Sequence, residues 1–142
     1  MPGSSRAGQL LTLVGAAIAL AGGFVLWYDA TAVYGGRTFE LIQSNGWQQP
    51  NPALSVLAIG LCVVAGIVAL TELLLPSGRG DGAPAVALVP IGFGITAFAL
   101  VVAKYMWEDA YASMGFVVTG TGAALVALGG VLTLWSRVVA RG

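Results

Sequence analysis

The chain alternates long apolar runs with short polar breaks. The runs cover about residues 10–27, 53–75, 85–107 and 116–135, and only one of the segments between them, 29–52, is of any size. A helix rising ~1.5 Å per residue needs about 20 apolar residues to cross a hydrocarbon layer ~30 Å thick, and each run is close to that length. Backbone polar groups cannot stay unpaired in lipid, and the runs are too long and too uniformly apolar for the alternating strands of a barrel. The pattern therefore predicts an all-α integral membrane four-helix bundle, a single domain over residues 1–142. Segment 29–52 is its outer loop, too short to hold a core of its own.

Local signals sharpen the helix ends. Asn51 is placed to cap the second helix and Pro52 to occupy its first turn, while Pro76, Gly78 and Gly80 stop it. Pro90, followed by Gly92 and Gly94, predicts a kink in the third helix. Small residues recur at helix-packing spacing, as Gly15 and Ala19 with Gly23, Ala58 with Cys62 and Gly66, and Gly120 with Ala124.

One motif occurs twice. Trp27-Tyr28-Asp29-Ala30-Thr31-Ala32 closes the first run and Trp107-Glu108-Asp109-Ala110-Tyr111-Ala112 closes the third, each reaching a glycine at the same offset, Gly35 and Gly115. Leu70-Thr71 and Leu132-Thr133 likewise stand at one distance before Arg79-Gly80 and Arg141-Gly142. These pairs predict two parallel helix-hairpin repeats, helices 1–2 and 3–4, with the longer first loop as the asymmetric element.

Composition agrees with a lipid environment. Apolar residues make up 58% of the chain and charged ones 8%, far below the roughly 25% of a soluble domain. Arg6, Arg79, Arg137 and Arg141 flank the runs on one side, against Arg37 and Lys104 on the other, which predicts a plasma-membrane protein with both termini cytoplasmic. Arg6 before an apolar run also suits a secretory signal. The run is long for a signal core and its closing motif recurs after the third helix, so it is expected to remain.

Zero net charge offers no basic field for nucleic acid. Without histidine there is no His-ligated haem or His-anchored zinc, and no cofactor is expected. The single Cys62 can form neither an internal disulfide nor a CxxC pair and reads as a small packing residue.

Charge at membrane depth is expensive, so the deepest cation, Lys104, is the leading candidate for function. With Asp29, Glu108 and Asp109 it forms a candidate polar cluster at the outer mouth, with Asp29 as its expected partner across a helix 1–3 contact and Glu108 as the local alternative. Glu72, near the cytoplasmic end of helix 2, is expected to reach water. Trp27, Trp47 and Trp107 lie in an outer aromatic belt and are candidate contacts for a partner.

Phe24-Val25-Leu26-Trp27-Tyr28, then a polar stretch and Gly46-Trp47 before an apolar helix, resembles a group of small four-span actinobacterial-type membrane proteins. Many of these read as an apolar helix, Pro-Trp-Tyr, a loop and Gly-Trp; Leu26 stands where many have proline. The resemblance covers the first half of the chain and implies the four-span topology, with no activity attached.

These features point to a non-catalytic accessory or assembly subunit whose outer loop and aromatic belt contact another membrane protein or a second copy. A small oligomeric transporter or channel with a polar outer mouth is the alternative. An enzyme acting on lipid-linked substrates ranks third, since three carboxylates near an interface are a weak metal site.

Overall fold

A computed structural model describes residues 2–45, 52–74, 84–107 and 114–141. Its elements are α1 (Pro2–Gly22), β1 (Leu26–Tyr34), β2 (Arg37–Asn45), α2 (Pro52–Leu74), a 3₁₀ turn (Pro84–Ala87), α3 (Leu88–Trp107) and α4 (Met114–Arg141). The four helices of the expected bundle are present. Three are long and apolar enough to cross a membrane, over Ala53–Leu74, Leu88–Met106 and Met114–Ala140, while the apolar part of α1, Arg6–Gly22, is shorter.

The helices form a ring in which each packs on the next and α4 returns to α1, so α1 and α3 stand at opposite corners. The α1–α4 seam is the tightest. Gly8, Gly15 and Gly22 recur every seven residues on α1 and face Gly122 and Gly129, also seven apart, on α4. A Cβ on Gly15 would come within 2.6 Å of the Gly122 carbonyl oxygen, and one on Gly129 equally close to that of Gly8. Two helices can approach this closely only where neither carries a side chain, and in lipid such packing contacts replace the hydrophobic effect as the force between helices. Thr12 Oγ1 donates to the Gly8 carbonyl at 3.1 Å, and Thr119 Oγ1 reaches across to that of Ala19 at 3.5 Å.

The core follows the same economy of size. Ala16, Ala19, Ala58, Cys62, Ala65, Ala97 and Ala123 fill it around Ile59, Val101, Phe116 and Val126. Large apolar side chains point outward instead: Ile67 is 57% exposed, Ile95 58% and Leu128 54%. Such extensive apolar exposure suits hydrocarbon and would be costly in water.

Several expectations need correction. The first helix was placed at 10–27 but ends at Gly22, where the chain leaves through a turn with Gly23 N–H bonded to the Leu20 carbonyl and Phe24 N–H to that of Ala21. Gly22-Gly23 stops the helix, and the β-branched and aromatic residues beyond favour extended backbone. Segment 29–52, expected as a loop, holds most of an antiparallel hairpin. Tyr34 pairs with Arg37 across Gly35 and Gly36, whose φ values of 60° and 75° fit the two-residue turn that matches strand twist.

The pairing shifts register twice, between Leu26 and Tyr28 and between Ala30 and Thr31, where an extra residue bulges one strand against the other.

Pro90 does not interrupt a helix. The α-helical part of the third run begins only at Leu88, after the 3₁₀ turn, so the proline falls in the first turn where its missing N–H has no carbonyl to serve. The fourth helix continues past 135 to Arg141, so Arg137 lies within it rather than after it. The duplicated motif also falls in unlike settings: Trp27 and Asp29 lie in β1, whereas Trp107 is the last residue of α3. Nor does the α2–α3 seam repeat the glycine contacts of α1–α4. The motif pair therefore does not mark equivalent helix ends.

Candidate functional site

Of the four residues of the expected outer cluster, the structure describes the backbone of Asp29 and the placement of Lys104. Asp29 belongs to β1, in register with Gln43, and is not at the end of a helix. Lys104 sits in the last turn of α3, only 3% exposed, and is not without a partner. Glu108, Asp109 and Trp47 lie outside the described residues. Trp27 falls within β1 and Trp107 closes α3. The route proposed for the Asp29–Lys104 pair, a contact between helices 1 and 3, does not hold, because those helices are diagonal and Asp29 lies on neither.

The charged site that is built lies at the opposite end, where α1 begins and α2 and α4 finish. Arg137 of α4 grips Glu72 of α2 with both arms of its guanidinium: Nη1 donates to Oε1 at 3.2 Å, and Nη2 donates to Oε2. Gln9 of α1 donates from Nε2 to the same Oε2 at 2.6 Å. The side chains of Arg137 and Glu72 are 1% and 16% exposed. Glu72 is therefore not a carboxylate reaching freely into water, as the sequence reading had it.

Local sequence places each member. Glu72 lies two residues before the described end of α2, and Arg137 stands one turn, about 6 Å, before the end of α4. Small neighbours let the long guanidinium side chain lie inside the bundle, as Thr133 and Ser136 bond their own helix backbone, to the carbonyls of Gly129 and Thr133. A planar guanidinium meeting a carboxylate through two parallel bonds is among the stronger polar contacts, and burial makes loss of either partner costly. Chemically the arrangement clamps. With three donor atoms on one carboxylate, the triad ties three helices together.

Near the hairpin end, α3 and α4 diverge. Where they close, a Cβ on Gly94 would come 2.6 Å from the Ala127 amide nitrogen; toward the hairpin, one on Gly120 would meet nothing nearer than Val101 Cγ1 at 3.6 Å. Tyr105 and Phe116 bridge the gap edge to face, with ring centroids 5.7 Å apart.

No protein-family model, curated protein or solved structure matches the chain. Its bilayer contact follows from the three long apolar helices.

Proposed function

We infer that the protein is a non-catalytic accessory or assembly subunit of the plasma membrane, with both termini cytoplasmic and the β1–β2 hairpin presented outside to a partner membrane protein. One observation carries this reading: a helical bundle with an apolar core bears at one end an isolated two-stranded antiparallel ribbon. Two-stranded ribbons are marginal by themselves and gain from being covered, and their unpaired edges accept a further strand. The orientation rests on the basic residues Arg6, Arg79, Arg137 and Arg141.

The transporter or channel reading would need its path between copies, because small and apolar side chains fill the interior of one bundle among the described residues. Photoreactive residues placed at Thr38 and Gln43 test both. A discrete adduct with one other membrane protein in native membranes supports the accessory reading, and an adduct between two copies favours the oligomeric one. Lipid adducts alone, matching those from a probe at Leu128, would defeat both.

A further inference from the structure

The divergence of α3 from α4 leaves a cleft of about 400 Å³ in the hairpin half of the bundle, walled by Phe98, Val102, Tyr105, Phe116 and Val117 with Gly120 among its lining. It lies within two of the apolar spans, Leu88–Met106 and Met114–Ala140. Its rim faces outward, since Phe98, Val102, Tyr105 and Val117 are between 38% and 59% exposed. The lining carries no charge; its only polar side chains are those of Tyr105 and Thr121.

Shape decides between possible occupants. From Phe98 to Tyr105 the cleft runs about 10 Å along α3, and it ends where Gly94 brings α3 against the backbone of α4. A membrane-crossing helix packs along much of a ~30 Å span, and would leave this cleft at mid-membrane with nothing to follow. A hydrocarbon tail descending from the hairpin-side leaflet ends near that depth. Its polar head would then lie level with Tyr105, an aromatic suited to the headgroup zone.

We propose that the α3–α4 cleft is a binding site for one hydrocarbon tail of a lipid from the hairpin-side leaflet. The tail packs against the walls of Phe98 and Phe116 and over Gly120. A polyprenyl chain is too long to end at that depth, so the occupant is the acyl tail of a phospholipid. The proposal is independent of the partner reading, because it involves helix surfaces and not the ribbon.

The full chain, reconstituted in phosphatidylcholine vesicles, tests it with two probes: a phosphatidylcholine carrying a diazirine in one acyl tail, and a polyprenyl phosphate carrying one in its chain. Photoadducts at 98–105 and 116–124 are expected to exceed those at Val56 and Leu57, lipid-facing residues of α2 at similar depth, by about tenfold, or ~1.4 kcal/mol of preference. Gly120→Leu fills the cleft from within and Val117→Trp covers it from the rim, and each should remove the excess. The first substitution is compatible with folding because a Cβ at 120 makes only ordinary contacts. Excess labelling by the acyl probe that both variants abolish supports the proposal. Acyl labelling no greater than at Val56 and Leu57, whatever the polyprenyl probe does, or an excess that survives both variants, overturns it.

Discussion

Arg137 and Glu72 join α4 to α2, helices that are not neighbours in the ring, so their ion pair spans a diagonal of the bundle and lies across one end of its core. Gln9 extends the link to α1. Three of the four helices thus meet at one carboxylate.

Removing one partner should be worse than removing both. Arg137→Met or Glu72→Leu alone should destabilise the protein in detergent by about 3–5 kcal/mol, since each leaves a buried charge unmatched, while Glu72→Leu with Arg137→Met should recover most of that loss. Denaturant titration of the four proteins gives the coupling. Additive losses would mean that the pair contributes nothing as a pair.

The glycine seam predicts a sharp positional contrast. At Gly122 a Cβ would meet the Gly15 carbonyl oxygen at 2.6 Å, so Gly122→Val must drive α1 and α4 apart, at a cost of at least the ~1–3 kcal/mol typical of overpacking. Gly60 faces open space on α2, and Gly60→Val should change stability by less than about 0.5 kcal/mol. Equal melting shifts for the two variants would refute the contrast.

The hairpin turn should fail locally. Gly36 has φ 75°, a left-handed conformation that costs a β-branched residue roughly 1–2 kcal/mol, whereas asparagine tolerates it. Gly36→Val should raise amide exchange across residues 26–45 and leave the helices protected, and Gly36→Asn should do neither. Hydrogen exchange read by mass spectrometry distinguishes a ribbon that folds on its own turn from one held only by its surroundings.

Orientation can be read from two exposed arginines at opposite ends of the bundle. In a Cys62→Ser background, Arg37→Cys should react with an impermeant thiol reagent on intact cells, and Arg6→Cys only after the membrane is opened. The reverse pattern would place the hairpin in the cytoplasm.

The helices were legible because apolar run length is set by bilayer thickness, and the span of α2 was close to its expected limits. The hairpin is obscured because apolar content alone reads as helix: Leu26, Trp27 and Tyr28 extend an apolar run just as well when they begin a strand. Tyr34-Gly35-Gly36-Arg37, a Gly-Gly pair between β-favouring residues, was the available signal. The buried triad left a fainter trace. Gln9, Glu72 and Arg137 sit at matching distances from one membrane face on three different helices, but periodicity on one helix cannot say which other helix its polar residue will meet. Counting Arg137 as a flanking charge concealed it, since the same residue serves equally well as a topology signal and as a buried partner.

The seam between α1 and α4 joins the earliest of the four helices to the latest. Some ninety residues separate Gly22 from Met114, so at roughly 5–20 residues per second the ribosome takes on the order of 5–20 s to supply the mate for the glycine strip of α1. During that interval the strip is exposed to whatever else occupies the bilayer, and Glu72 waits without Arg137. Arrival of α4 satisfies both needs together, which makes its synthesis the event that commits the bundle to its native form, and makes a product stalled before residue 114 a natural substrate for membrane proteolysis.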